Sequence, residues 1–311
     1  MTEESSQRLY YRHSGAFSAG GVLFALLLGL LIGAPLAWLY AWFIHWDPFI
    51  YFNLAAGFIF GALVGWISEQ RLIASKCRSV PVAVIVALLV GLGAYYLSWA
   101  VWLHTVIPKI SSLEFLKPAD ILAGMLAVNA HGVWNYHGSI VKGGFLWVVW
   151  AAEAALVLGA ACYFAVDDMA EATFCEGCET WAKEQKGACT VAAGPNPPLE
   201  DLSKLKGYRN FIHGLKTHAS ELKQRLEKKD LAYLQQLGPV TAEALAWYRL
   251  DLHSCPSCNS TNTLRVTQFR RKIEGKKVRT QTEDKEVLRQ LLLSSAEAET
   301  VRKLGQKPLA T

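Results

Sequence analysis

Four of the seven cysteines in this chain fall into two Cys-x-x-Cys pairs, Cys175-Glu-Gly-Cys178 and Cys255-Pro-Ser-Cys258. Four thiolates offered in two pairs are what a closed tetrahedral zinc site needs. The same spacing also serves thiol–disulfide exchange, so a redox dithiol is the rival reading. A third reading leaves the pairs independent of each other, or recruits Cys189 or His253. Hydrolytic zinc is disfavoured, because it keeps a position open for water and four thiolates close it. No nucleophile–base arrangement and no phosphate-binding glycine loop accompanies the pairs, so the sequence leans away from an enzyme. Cysteines spaced for metal fit a reducing compartment better than an extracellular disulfide framework. Cys77, Cys162 and Cys189 are left over.

Three other groups of residues could carry chemistry. Glu153 lies inside an apolar run, Trp150-Ala-Ala-Glu153-Ala-Ala. An ionisable group there is costly and faces protein or a water-filled cavity, which allows proton or cation handling. The plainer reading is a protonated or hydrogen-bonded side chain near the end of the run. His131, Trp134 and His137 cluster in one loop. A metal site there is conceivable because imidazole is a common ligand. However, a spacing of six matches no helical face and no carboxylate accompanies the pair. Finally, Arg270, Arg271, Lys272, Lys276, Lys277 and Arg279 form a basic run. Three readings stay open for it: contact with anionic lipid headgroups, contact with nucleic acid, or a solvated hairpin face.

These residues sit on two contrasting halves. The chain has 311 residues and is 52% hydrophobic. Its first 166 residues hold only 8 Lys and Arg and 7 Asp and Glu, against 23 and 19 in the remaining 145. Four apolar stretches, about 21–43, 49–67, 80–103 and 143–166, are long enough to span a bilayer core of roughly 30 Å. The first is too long for a signal-peptide core and lacks a small-residue cleavage site, so it reads as an anchor. Arg8 and Arg12 precede the first stretch, and Arg71, Lys76 and Arg78 follow the second. The connection His45-Trp-Asp-Pro48 has no Lys or Arg. The positive-inside rule therefore puts both termini in the cytoplasm. Trp38, Trp42, Trp46, Trp99, Trp102, Trp147 and Trp150 then gather at the outer interface as an aromatic belt, or around a quinone, haem or lipid pocket. Gly29 and Gly33, and Gly57, Gly61 and Gly65, recur at intervals of four, which lets backbones approach closely within the bundle or between copies. In the outer loop, residues 118–129 read as a short amphipathic helix with Ile121, Leu122, Met125 and Leu126 as its apolar stripe.

The second half reads as a soluble α+β domain. Leucines recur at helical intervals over 199–238, after the linker Ala192-Ala-Gly-Pro-Asn-Pro-Pro198. Tyr248, Leu250 and Leu252 alternate with polar residues before the second cysteine pair, and Leu264 and Val266 do so after it. This predicts two antiparallel strands with Cys255–Cys258 at their tip. A further hairpin is expected with 269–273 against 278–282, and an amphipathic helix over 286–304.

On Cys175, Cys178, Cys255 and Cys258 and their flanking strands, the chain resembles a zinc ribbon, in which two knuckles on β-hairpins bind one ion. The resemblance covers about a quarter of the chain and implies a structural Zn2+. Simple ribbons separate their pairs by about 15–20 residues. Here 76 residues intervene, so the ribbon must accept a helical insertion.

The expected fold is a membrane α-helical bundle of four transmembrane helices followed by a small α+β cytoplasmic zinc-ribbon-like domain with a helical insertion. Its parts are an N-terminal segment (1–20), a transmembrane domain (21–166) with an outer loop (104–142), and the zinc-ribbon-like domain (167–311) with its insertion at 199–238. The location is a cell membrane or bacterial inner membrane. The expected function is to present the metal domain for protein–protein interaction or assembly, with another protein or a second copy as partner. The net charge of +5 is too mild to call for nucleic acid. Two alternatives are a small transporter or channel using Glu153 with the ribbon as a regulatory tail, and a lipid- or quinone-directed membrane enzyme.

Overall fold

The computed structural model describes residues 8–46, 50–107, 117–133, 135–136, 139–202, 204–274 and 277–306. The chain divides into two compact units, Ser14–Ala170 and Met1–His13 with Glu171–Thr311.

The first unit is built on α1 (Ala19–Trp46), α2 (Ile50–Ala74), α3 (Val80–Val106), α4 (Pro118–His131) and α5 (Gly144–Phe164). A short ladder of β1 (Asn135–Tyr136) with β2 (Ser139–Ile140) precedes α5, and α6 (Asp167–Glu171) follows it. Helices α1, α2, α3 and α5 are long and apolar enough to cross a membrane. Their burial pattern inverts that of a water-soluble helix. On α1 the small residues Ala25, Gly29, Gly33, Ala37 and Ala41 are buried, while Leu23, Phe24, Leu27 and Leu31 are exposed. Small residues inside and large apolar residues outside suit helices that pack tightly and meet lipid.

The glycine periodicity is used within this unit. A Cβ on Gly61 would stand 2.2 Å from the Val157 carbonyl oxygen, and one on Gly65 2.3 Å from that of Ala161. Helices α2 and α5 therefore touch backbone to backbone. One expectation changes, and a second, buried acid joins Glu153. The apolar stripe of α4 is split: Ile121 is buried and Met125 is packed, but Leu122 and Leu126 are exposed. Gly124 sets this rotation, because α4 seats it on Leu103, 2.8 Å from where its Cβ would be. Glu153 is also not the only acid inside a candidate span. Glu69 on α2 is 1% exposed and accepts the Met169 backbone N–H at 2.9 Å. Its carboxyl thereby satisfies an N-terminal N–H of α6 that has no partner within the helix.

The second unit centres on a four-stranded antiparallel sheet in the order β5–β6–β7–β8. It begins with the two-residue strands β3 (Phe174–Cys175) and β4 (Thr180–Trp181), then β5 (Lys183–Ala192). Helices α7 (Leu199–Leu202), α8 (Leu205–Glu227) and α9 (Tyr233–Gln236) follow, then β6 (Ala246–Ser254), β7 (Asn262–Glu274), β8 (Lys277–Leu293) and α10 (Ser295–Gln306). One face of the sheet carries Tyr248, Leu250, Leu252, Leu264, Val266, Leu288 and Leu291. It forms the core with Leu215, Leu222 and Leu226 of α8 and Ala298 and Val301 of α10.

The alternation in β6 and β7 is as expected, and the second predicted hairpin lies within β7–β8, with Ile273 opposite Val278 and Arg271 opposite Thr282. The predicted helix over 286–304 needs correction: residues up to Leu293 belong to β8, and only Ser295–Gln306 is helical. Leu288 and Leu291, three residues apart, are spaced as on one helical face. They are instead brought to the core by register shifts between β7 and β8 and by a left-handed turn at Gln290, φ 55°. The N-terminal segment adds to the same edge: Leu292 N–H donates to Leu9, and Tyr11 N–H donates to Gln290.

If the α2–α5 approach governs packing of the first unit, Gly61→Ala should destabilise it by about 1–3 kcal/mol, the usual range for overpacking. Gly159→Ala faces open space and should leave thermal unfolding, followed by circular dichroism, unchanged. Equal melting of the two variants would refute the close-contact reading.

Candidate metal centre

The first cysteine pair lies on the turn between β3 and β4, and the second on the turn between β6 and β7. The long interval between them is closed by the sheet. The chain leaves β4 and enters β5 almost at once, and Lys183 at the start of β5 pairs with Ser254 at the end of β6. Ser254 immediately precedes Cys255, so the two knuckles are brought side by side. Helices α7, α8 and α9 are the excursion between two strands that are themselves neighbours.

The four Sγ atoms of Cys175, Cys178, Cys255 and Cys258 all lie within 4.8 Å of one another. Cys175 Sγ and Cys258 Sγ, one from each pair, are 3.6 Å apart. Zn–S bonds of about 2.3 Å set tetrahedral sulfurs about 3.8 Å apart, so separations of no more than 4.8 Å are near what a single ion needs. All four thiols are free rather than disulfide-bonded, and Cys175 and Cys255 are buried. The arrangement fits a zinc-ribbon-like site.

Local backbone shapes each knuckle alike. Glu179 and Asn259, each directly after the second cysteine of its pair, adopt positive φ of 47° and 52°. In the second knuckle this turn aims the next amide back toward sulfur: Ser260 N–H donates to Cys258 Sγ at 3.5 Å. Asn tolerates this conformation well. The knuckles are also tied from behind. Thr173 Oγ1 and Thr263 Oγ1 are hydrogen-bonded at 2.7 Å with both residues fully buried. Thr173 accepts the Ala182 N–H across the first knuckle at 2.8 Å. The Tyr11 hydroxyl accepts the Phe174 N–H at 3.0 Å, and the His13 ring meets Trp181 edge-on at 6.0 Å.

The clustered thiols shift one another's ionisation. The Ser260 hydroxyl and backbone N–H hold the Cys258 thiol below its ordinary range, at about 6. Hydrogen bonding to Cys258, then desolvation and the other cysteines, pushes Cys178 up to about 12. Crowded thiols resist full ionisation, and a bound dication removes the resistance by displacing the protons.

The other sequence candidates are placed apart from this centre or fall outside it. Cys189 is buried in the core on β5, and His253 lies 3.9 Å from Glu184. Cys77 and Cys162 belong to the first unit, bonded to the Ser79 and Val84 carbonyls. His131 ends α4 exposed, its Nδ1 2.9 Å from the Ala127 carbonyl, while Trp134 and His137 lie outside the described residues. In the basic run, Arg270 pairs with Glu283 at 2.8 Å and Arg271 donates to the Ala242 carbonyl at 2.7 Å. Lys272 is exposed at the end of β7. Lys276 lies outside the described residues, and Lys277 and Arg279 are described only as β8 backbone. Glu153 lines a cavity in the first unit with Tyr40, 2.6 Å away. The sequence reading missed Thr173, Thr263, Ser260 and Tyr11. The Asn-Ser after Cys258 was a local signal for the turn, but nothing local marks the threonine pair, whose members are 90 residues apart.

No family model, curated protein or solved structure matches this chain. The centre is thus read from its own geometry.

Thr173→Val preserves volume but leaves the buried Thr263 hydroxyl without this partner, at a cost of about 1–3 kcal/mol. Metal release to a chelator, followed with a chromogenic indicator, should be faster than from the wild type. An unchanged release rate would dismiss the threonine pair as a support of the centre.

Proposed function

We propose that the chain is a multi-pass membrane protein whose four-cysteine centre holds one structural zinc, and that the unit built on this centre presents a cytoplasmic surface to a protein partner. The observation that carries the reading is the convergence of both cysteine pairs within 4.8 Å. Four thiol ligands leave zinc no open position for a substrate, so the metal contributes folding energy rather than chemistry. The placement of Arg8, Arg12, Arg71, Lys76 and Arg78 favours the cytoplasm for both termini. The ladder between residues 9–11 and β8 supports having the N-terminal segment and the metal unit on one side, as an even number of spans requires.

The character of the partner follows from what the unit leaves uncovered. The apolar faces of α8 and α10 are spent on its own core. The outer face of α8 instead carries Lys206, Arg209, His213 and Lys216, all exposed. They follow a helical spacing of three and four residues, with no acidic residue between Leu205 and Ser220. Such a stripe suits an acidic segment of a partner.

Purified full-length protein should contain about one zinc per chain by elemental analysis, and Cys255→Ser should abolish retention through gel filtration. Zinc retained by a variant with all four cysteines replaced by serine would overturn the metal assignment. Crosslinking in native membranes should yield a discrete adduct, with another protein or with a second copy, that is lost when Arg209 and Lys216 are both changed to Glu. Persistence of the adduct would remove α8 as the contact.

A further inference from the structure

Glu153 is the most exacting residue of the first unit, because a carboxyl group within an apolar helix has to be accommodated by something. It is partly buried on α5. Its one hydrogen bond among the described residues comes from the Tyr40 hydroxyl of α1, at 2.6 Å, and no described cation pairs with it. Glu153 lines a cavity of about 30 Å³ with Tyr40, Ser98, Trp99, Trp102 and Trp150, and the apolar Ala41, Ile44 and Val133 complete the lining. That volume accommodates one guest about the size of a water molecule.

The walls are preorganised. The Tyr40 ring is stacked on Phe60 at 4.6 Å with an interplanar angle of 5°. Trp99 meets Trp150 edge-on at 5.0 Å and Trp102 at 5.5 Å. Trp102, Trp150 and Tyr40 are each less than a tenth exposed. Ser98 donates its hydroxyl proton to the Tyr95 carbonyl at 2.7 Å, so its oxygen retains lone pairs for a donor. All six residues lie in the half of the bundle where α1 ends and α5 begins.

This combination selects a chemistry. The negative faces of aromatic rings attract cations, more strongly when desolvated. A carboxylate adds a charge and excludes anions. Ca2+ needs six to eight oxygen ligands and Mg2+ a near-ideal octahedron, whereas the lining side chains that carry oxygen are Glu153, Tyr40 and Ser98. An ammonium group needs less: it donates one or two N–H bonds to oxygen and rests its remaining surface on rings.

We propose that this cavity binds an ammonium group, either the free ammonium ion or the –NH3+ end of a primary amine, with Glu153 as counter-ion and Trp99, Trp102, Trp150 and Tyr40 as the aromatic wall. The site is independent of the cysteine centre, and neither assignment rests on the other.

The test uses the full-length protein in lipid nanodiscs, with intrinsic tryptophan fluorescence titrated at constant ionic strength. Ammonium chloride should produce a saturable change. Sodium chloride should not, and tetramethylammonium, too large for the cavity, should not either. Glu153→Gln should weaken ammonium binding at least tenfold, and Tyr40→Phe should weaken it to a lesser degree. Methylammonium and ethanolamine distinguish the sources: binding at least as tight as ammonium assigns the amine end, and failure to bind assigns the free ion. A response to ammonium no different from that to sodium would overturn the proposal, as would wild-type affinity in Glu153→Gln. Should Glu153→Gln not fold, wild-type affinity in Tyr40→Phe together with Trp99→Leu would overturn it equally.

Discussion

Everything in the second unit depends on one backbone pairing, that of β5 with β6. Without it the two cysteine pairs belong to distant stretches of chain and share nothing. With Lys183 opposite Ser254, the first knuckle is delivered to the second, and four thiols converge. The pairing is not uniform: its register shifts between Gln185 and Cys189, where Gly187 has φ 63°. The fully buried Asp251 of β6 accepts the Gly187 N–H at 2.7 Å and holds Arg249 at 3.0 Å. A buried carboxylate with two partners thus pins the irregularity in the strand that brings the metal ligands together. Buried charge is tolerable only when paired in this way.

The same pairing explains which parts of the fold could be read in advance. The four apolar helices and the strands flanking Cys255 and Cys258 announce themselves by local pattern: long apolar runs in one case, strict alternation in the other. Strand β5 does not. Its first five residues, Lys183–Gly187, are all exposed, and only then do Ala188, Cys189 and Val191 turn inward. Nothing local marks Lys-Glu-Gln-Lys-Gly as a strand; the ladder offered by β6 makes it one. Strand β8 fails as a local reading for a related reason. Leu288 and Leu291 are spaced as on one helical face, and only the bulged partner β7 decides otherwise. The cysteine set was legible as two pairs because spacing within each pair is local. Their union was not, because it is a property of the sheet.

The insertion of helices between paired strands has an energetic logic. Loop-closure entropy grows only logarithmically with length, so an excursion of tens of residues adds little once its ends are held. Here the excursion also contributes: Leu215, Leu222 and Leu226 of α8 cover the sheet face carrying Tyr248 and Leu250. A small ribbon relies on its metal because it has almost no core. This unit has a core of its own, and an ion held by the four cysteines would add to it at the far end of the same strands.

The two buried acids of the first unit show how context separates structure from binding. Glu69 accepts the Met169 backbone N–H at the start of α6, and its role ends there, since a helix N-terminus is a fixed and sufficient partner for a carboxyl. Among the described residues, Glu153 has one hydrogen-bond partner, a tyrosine hydroxyl, and it lines a cavity with three tryptophans, Ser98 and the apolar Ala41, Ile44 and Val133. Sequence alone made Glu153 conspicuous because its neighbours are alanines, and overlooked Glu69 because it lies among polar residues in Ser68-Glu-Gln-Arg71. Geometry keeps the emphasis on Glu153 by a different criterion: not how apolar the surroundings are, but whether the protein itself satisfies the carboxyl. For Glu69 it does. For Glu153 the described residues supply one tyrosine hydroxyl and a small cavity, and that gap is what the ammonium proposal rests on.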